Sequence, residues 1–405
     1  MAAGGGREAP PYNARDAREQ HDEQAVRGGA EHMTTREQLE ETINSYAAGR
    51  EARLAAARGL IKVGRQDLDA NVEVDLHLHT FYSDGYHSPA GRVYEAWRRR
   101  MRAIAITDHD VFDGVPEGLD AGPIFGVDVV AGIEFYTNSP GTEIIAWFPD
   151  GPRFLAWFST GKGQERIETI RAAKKKQLAT MVAKVPEVFG RFGLKLEITD
   201  DDVDRYLRGG LSTKGDISVV LSLKYGDLLR ERGLARDVKE IQLKFTTKAG
   251  MLDEPLDVGS LDMSPEAFVR YVLELGGVPG LSHPTELKNK EEKTNRQIRD
   301  TIWRLGEAGL MAVEVDGWRN TLDDETGLYQ AALFSAMVDE YNAAHPSSPL
   351  AKTNGSDDHN QPGEGLEMGK GRNGNLLAEF GRYTVVEQLR AAQKSLTEGR
   401  RERRG

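Results

Sequence analysis

Short apolar segments alternate with helix-like ones along most of this chain, and that order restricts the fold more than any other feature. Strand candidates are Val72–His79, Ala103–Thr107, Asp128–Ile133, Thr142–Phe148, Gly277–Ser282, Met311–Val315 and Leu350–Thr353. Ser88-Pro89 supplies an N-cap and a proline at the first helical position for a helix running to about Arg100. Further helices are predicted at roughly 265–275, 294–308 and 324–344. Strand-then-helix order implies parallel pairing, hence an α/β sheet or barrel. In the first strand, strict alternation places Val74, Leu76 and Leu78 on one face and Asp75, His77 and His79 on the other.

One stretch breaks the rhythm. Residues 160–261 are charged and helix-rich, with Arg166–Lys184 and Asp201–Arg208 as helices and no convincing strand, so they read as a helical insertion. The organisation expected is a disordered tail at 1–32, a helical segment at 33–70, a barrel split into 71–159 and 262–395 around the insertion, and a basic tail at 396–405. Residues 1–32 lack an apolar core of the secretory type, and Met33 is an alternative start. Arg400, Arg401, Arg403 and Arg404 read as a solvated terminus, with phosphate or RNA contact as the alternative.

Composition narrows the function. Lys and Arg total 53 against 64 Asp and Glu, a net charge of −11, so a basic nucleic-acid-binding domain is not the expectation. No apolar run approaches the roughly 18–20 residues that a bilayer requires, and a cytoplasmic location is expected. With no cysteine in the chain, any metal must be held by histidine and carboxylates.

The chemistry sits where strands end. His77, His79, His109, His283 and His359 fall at or just after predicted strands, and so do Asp84, Asp108, Asp110, Glu134, Asp357 and Asp358. In parallel α/β architectures the carboxyl ends of strands converge on one rim, where groups distant in sequence meet. Each motif alone has a structural reading, but together the imidazoles and carboxylates point to a metal site.

Asp75-Leu-His-Leu-His-Thr80, Ser83-Asp84-Gly85, Ile106-Thr-Asp-His-Asp110, Gly132-Ile-Glu134, Ser282-His-Pro284 and Gly355-Ser-Asp-Asp-His359 resemble, in order and spacing, the motifs of the polymerase and histidinol phosphatase (PHP) family of metal-dependent phosphoesterases. The resemblance implies a distorted seven-stranded (β/α) barrel, with an insertion similar to that of the family's stand-alone nucleotide-phosphatase and exonuclease branch. It also implies two or three divalent ions: Mn, Fe, Zn or Mg. Carried over by position, His77, His79, Glu134 and Asp357 surround a first metal, Glu134 bridges to a second that also takes His283, and Asp84, His109 and His359 hold a third. Glu134, Asp84 and Asp357 are the expected catalytic carboxylates.

Two departures stand out. Where the family has a histidine, Gly141-Thr-Glu-Ile-Ile-Ala-Trp147 places Glu143 at or beside the ligand position. In the insertion an Arg-Pro-His-like stretch is replaced by Lys214-Gly-Asp-Ile217; the missing histidine is a candidate substrate contact, so Asp216 in its place puts the usual nucleotide substrate in question. Lys370 and Arg372 are candidate substrate-phosphate contacts, a plain surface turn being the alternative. Glu314 and Asp316 end the sixth strand on one face, as ligand-orienting groups, with substrate contact or simple solvation as the alternatives. Arg92, Arg98, Arg99, Arg100 and Arg102 read as a solvated helix face.

The expected function is hydrolysis of a phosphate ester by metal-activated water, on a nucleotide, a small metabolite or the end of a short oligonucleotide, with no membrane or stable duplex nucleic-acid partner. The alternatives are a catalytically silent metal-binding module of the same type and a non-phosphoryl metal hydrolase.

Overall fold

The structure is a computed structural model that describes residues 35–402, with breaks at 46, 140, 159–160, 207–212, 248–249, 260–261, 319 and 361–364. The tail at 1–32, the alternative start at Met33 and the end of the basic tail at 403–405 lie outside the described residues.

The strands are β1 (Val74–Asp75), β2 (Ala103–Ile106), β3 (Asp128–Tyr136), β4 (Glu143–Phe148), β5 (Val278–Leu281), β6 (Ala312–Asp316) and β7 (Ala351–Asn354). They form a seven-stranded sheet in sequence order. Beyond the ends of β1 and β7 the two edges approach: Leu76 N donates to Asn354 O (3.2 Å), Asp357 N to His77 O (3.1 Å) and His79 N to Asp358 O (3.3 Å). The sheet is thereby nearly closed into a barrel.

The expected parallel pairing holds for β1–β2–β3 and for β5–β6–β7, but β4 runs antiparallel to both β3 and β5. The connection 137–142 is too short for a crossover, which needs about a dozen residues, so β4 can only return as a hairpin. The reversal has a functional consequence. The first residue of β4, Glu143, pairs with the last of β3, Tyr136, and so sits on the same rim as the carboxyl ends of the other strands.

Alternation along the strands separates two apolar layers. Val74, Leu76, Ala103, Ala105, Val130, Ile145, Trp147, Val278 and Ala312 form the barrel interior, closed at one end by Val385, Val386 and Leu389 of the C-terminal helix Thr384–Glu402. Trp147 fills this space and is fully buried, its indole N–H donating to Leu76 O across the barrel (3.0 Å). Gly280 makes room for it, since a Cβ there would lie 2.2 Å from the ring. The outward residues, among them Ile104, Ile106, Ile133, Ile144, Phe148 and Val313, pack against the surrounding helices. Strict alternation fails in the first strand: Val74 and Leu76 join the interior, but Leu78 joins the outer layer. Regular pairing stops at Asp75, and the chain turns over between Leu76 and His77, which points both histidines into the barrel mouth.

The insertion has its own core, including Met181, Val185, Phe189, Ile217, Leu221, Leu229 and Phe245, and no strand occurs among its described residues. It is tied to the barrel by the helix Gly161–Gly190, whose early residues Ile167 and Ile170 belong to the barrel's outer layer while its later ones build the insertion core. The helix Pro89–Arg98 begins as expected, with Ser88 Oγ accepting from Gly91 N (2.8 Å). Arg92 on this helix corrects the expectation of a solvated face. It is fully buried and donates to both Asp358 O (2.9 Å) and Asp358 Oδ2 (2.8 Å).

At the end of β6, Asp316 is buried, accepting from Leu377 N (2.7 Å) through one oxygen. Burial, reinforced by Glu314, Glu379 and Asp75 and only partly offset by the Leu377 N–H, pushes its pKa up to about 8.

Two measurements test this account. Trp147→Ala is expected to lower unfolding stability by about 3–5 kcal/mol in urea titration, because it empties the largest fully buried side chain from the barrel interior. A loss under 1 kcal/mol is incompatible with a packed barrel centre. Asp316, whose folded pKa is raised, favours the fold most below the ordinary aspartate range and loses that contribution as pH rises toward 8. Asp316→Asn, which keeps the acceptor for Leu377, is therefore expected to unfold with a flatter pH profile, the difference from wild type growing by up to about 1.4 kcal/mol per pH unit between the unfolded and folded pKa values. Parallel profiles would mean that this carboxyl is ionised throughout.

Candidate metal centre

Three strands, β3, β4 and β6, carry a polar side chain into the barrel mouth directly, and the other four deliver theirs in the residues that follow. His77 and His79 follow β1, Asp84 lies in the next loop, His109 follows β2, Glu134 lies on β3, Glu143 opens β4, His283 follows β5, Glu314 lies on β6, and Asp357 and His359 follow β7. The nine residues expected as ligands come together. Donor atoms of eight of them form three overlapping groups, each within 4.8 Å: His77, His79, Glu134 and Asp357; His79, Asp84, His109 and His359; and His109, Glu134 and Glu143; the ninth, His283, joins through its 3.1 Å contacts with Glu134 and Glu143.

Glu134 is at the centre. Its Oε2 lies 3.0 Å from His77 Nε2, 3.4 Å from His79 Nε2 and 3.2 Å from His109 Nδ1, while Oε1 lies 3.1 Å from His283 Nε2. His79 Nε2 is 3.0 Å from Asp357 Oδ1, and His359 Nε2 is 3.3 Å from Asp84 Oδ1. Glu143 Oε2 lies 3.1 Å from His283 Nε2. Glu134 Oε2 and His109 Nδ1 are buried without a hydrogen-bond partner. Unpaired polar atoms are costly to bury, whereas ring nitrogens and carboxylate oxygens aimed at common points are what a divalent cation requires. The residues present therefore fit metal ions.

The electrostatics agree. Burial opposes charge on His77 and His283, yet Glu134, Glu314 and Asp357 around the first and Glu143 and Glu134 around the second raise both well above the ordinary histidine pKa. Burial likewise opposes ionisation of Asp84, but the imidazoles of His359, His109 and His79 hold it well below the carboxylate range. At His109 burial prevails, and its pKa falls to about 4.

A surrounding layer fixes these groups. Glu314 faces His77 Nδ1 (2.9 Å), which turns Nε2 toward the centre, and accepts from His283 N (3.3 Å). Asp108 accepts from Thr80 N, Thr80 Oγ1 and Ser83 Oγ, each at 2.7 Å, and so holds the loop that carries Asp84. Asp75 accepts from Ser356 N (3.0 Å) and Gly369 N (2.7 Å), and the Arg92–Asp358 pair anchors the same segment from behind. Position 355 must be glycine, because a Cβ would lie 2.3 Å from His77 Cβ and 2.5 Å from Glu314 Oε2. His283 (φ 22°) and Asp357 (φ 53°) adopt positive φ, a conformation that costs energy and gathers at functional sites.

A cavity of about 740 Å³ opens from Asp84, His109 and Tyr136 into the insertion, where Arg166, Lys174, Thr213 and Lys214 line it. A smaller one, about 240 Å³, is bounded by Glu143, His283, Lys290, Trp318, Asp357 and His359. Lys370 and Arg372 line neither. Lys370 pairs with Glu367 (3.3 Å), and the Arg372 guanidinium stacks over Trp318 (5.0 Å). Asp216 caps its own helix, accepting from Thr213 N (2.7 Å) in a reciprocal capping box, and its neighbours Thr213, Lys214 and Gly215 line the cavity instead.

The cations that do face the cavities, Arg166, Lys174, Lys214 and Lys290, are absent from the sequence-based candidates. A signal existed for two of them. Arg166, Ile170, Lys174 and Gln177 recur at helical spacing along Gly161–Gly190 and all line the larger cavity. Lys290 lies on a helix, Thr285–Glu291, that the strand pattern does not reveal.

Comparison with known proteins agrees with this architecture. Residues 75–221 match the family model of the PHP domain. The chain is 24% identical over 292 residues to a 3',5'-nucleoside bisphosphate phosphatase of Chromobacterium violaceum, spanning 72% of this chain and 88% of that protein. It is 36% identical over 70 residues to a 5'-3' exoribonuclease of Haemophilus influenzae, a match covering 17% of this chain and only 26% of that enzyme. A match to the PolC-type DNA polymerase III of Caldanaerobacter subterraneus, 37% identical, covers 20% of this chain and 6% of the polymerase. Among solved structures, a metal-dependent phosphoesterase from Bifidobacterium adolescentis superposes with a TM-score of 0.57 at 19% identity, over 78% of this chain and 94% of that one. An amidohydrolase from Chromobacterium violaceum gives 0.56 at 21% identity, over 79% and 96%. These last two matches carry the fold alone. The PHP-domain match at residues 75–221 takes in His77, His79, Asp84, His109, Glu134 and Glu143, six of the residues that ring the barrel mouth.

Proposed function

We propose that this protein is a metal-dependent phosphoesterase acting on a small substrate that bears one phosphate ester and a second anionic group. The observation that carries the reading is the juxtaposition of the Glu134-centred donor cluster with a cavity whose far wall is cationic. In this reading His77, His79, Glu134 and Asp357 hold one ion, Glu134, Glu143 and His283 a second, and Asp84, His109 and His359, joined by His79, a third. Bound divalent ions supply Lewis-acid polarisation of phosphoryl oxygens and water of lowered pKa.

The chain's own groups bind and orient. Arg166 and Lys174 attract the second anionic group, and the Tyr136 ring, stacked on His109 with centroids 4.3 Å apart, forms a wall between the ester and the insertion. Glu314, Asp108 and the Arg92–Asp358 pair keep the donors in place while charge shifts during cleavage. The resemblance to a nucleoside bisphosphate phosphatase over most of both chains favours a nucleotide with two separated phosphates as the first substrate to try. A net charge of −11 disfavours long polyanions away from the cationic wall.

Metal-stripped protein reconstituted with Mn, Fe, Zn or Mg and offered nucleoside bisphosphates, mononucleotides, sugar phosphates and short oligonucleotides is expected to release phosphate fastest from a bisphosphate. Glu134→Gln should keep the circular dichroism spectrum and lose at least roughly a hundredfold in turnover, since it removes the shared carboxylate. A metal-loaded protein inert on the whole panel would favour the silent binding module, and full activity in Glu134→Gln would show that the centre lies elsewhere.

Glu143 provides a separate check. A carboxylate in place of an imidazole makes its position harder. Glu143→His is therefore expected to move the activity profile from Mn or Mg toward Zn or Fe. An unchanged profile and rate would make Glu143 a bystander.

A further inference from the structure

Glu143 differs from the other carboxylates of the centre in what it faces. The ion-pair partners of Glu134 and Asp357 are imidazoles. Glu143 presents Oε2 to His283 Nε2 at 3.1 Å and Oε1 to the Lys290 ammonium at 3.4 Å. Lys290 also reaches Glu286 Oε2 (3.2 Å) and borders both cavities.

Lys290 is held there by the fold. Its helix, Thr285–Glu291, begins two residues after His283, so the same element sets both the imidazole and the ammonium. The loop between β3 and β4 presses on that helix: a Cβ at Gly141 (φ 76°) would lie 2.7 Å from Glu286 O and 3.1 Å from Lys290 Cβ. Glu291 accepts from Ser139 Oγ (2.9 Å) and Thr142 Oγ1 (3.1 Å), lacing the loop that leads into Glu143 to the helix that carries Lys290.

We propose that Lys290 is a tethered cation competing with a divalent ion for Glu143, which makes the Glu134–Glu143–His283 position the weakest and most readily exchanged of the centre. A fixed positive charge beside a ligand oxygen repels an incoming cation and occupies one of its lone pairs. The departure from histidine at 143 thus comes with its own counter-charge, and the pair tunes occupancy at one position without altering the others. This inference rests on the metal-centre reading but not on substrate turnover. A protein that shows the affinity pattern below yet cleaves no phosphate ester would leave the inference standing while the phosphoesterase reading fails.

The test is calorimetric titration of metal-stripped full-length protein with Mn²⁺ alone, with the unfolding midpoint of each variant recorded to exclude damage to the fold. Wild type is expected to show one site clearly weaker than the rest. Lys290→Met should tighten that site about tenfold or more and leave the tighter sites within twofold, while Lys290→Arg, which keeps the charge, should remain like wild type. Lys290→Gln serves the same purpose if methionine at this half-exposed position causes aggregation. An unchanged weak site in the neutral variants would overturn the proposal. So would a weakened one, which would make Lys290 a support for Glu143 as a ligand, or an arginine variant indistinguishable from methionine.

Discussion

Carboxylates cannot gather in a protein interior without compensating positive charge, and this chain buries several at one end of its barrel. Glu134, Glu143 and Glu314 are all within 5% of complete burial, and Asp84 and Asp357 are only partly exposed beside them. The surrounding imidazoles answer that charge, with His77, His79 and His283 driven toward the protonated form. Divalent ions held there would answer it with fewer, more concentrated charges. Much of the local structure serves to keep this concentration of charge from relaxing: the backbone held at positive φ, the glycine at 355 and the hydrogen bonds to Asp108 and Asp75.

The barrel solves this geometric problem through one reversed strand. Six strands run the same way and bring their carboxyl ends to the mouth. The seventh, β4, contributes from its amino end and delivers Glu143 opposite His283. A parallel β4 would have carried Glu143 to the far end of the barrel, where Trp147 and the C-terminal helix close the interior. Glu143 and Trp147 are therefore two ends of one strand with opposite duties, one at the mouth and one filling the centre.

The positions of the strands and of the donor residues were readable because both follow from short-range rules: apolar runs of strand length, and polar residues at their ends. The seven strand candidates overlap the seven strands, and the nine donor candidates share one rim. What escaped depends on long-range placement. Leu78 changes face because regular pairing stops at Asp75, which alternation cannot foresee. Arg92 resembles its solvated neighbours in sequence but meets Asp358 across the fold. Lys370 and Arg372 follow the last metal motif closely, yet the chain turns them toward Glu367 and Trp318. Lys290 sits in a run of charges, Lys288-Asn-Lys-Glu-Glu292, where nothing distinguishes the one ammonium that reaches Glu143.

The helix Gly161–Gly190 ties the cationic side of the larger cavity to the barrel. Its first turns bury Ile167 and Ile170 in the barrel's outer layer, and its later turns bury Met181, Val185 and Phe189 in the insertion core. Arg166 and Lys174 occupy the part between, facing the cavity. Arg166 is further restrained by the rings of Phe135, Phe268 and Tyr271, each within 5.4 Å of its guanidinium. Because Phe135 lies on β3 next to Glu134, the cationic wall and the carboxylate at the centre of the cluster are referenced to the same strand. The distance between the two is then a property of the barrel rather than of a loop. In the proposed reading, changes on the cavity face of the helix would alter which anion is accepted without moving the groups that would hold the metal.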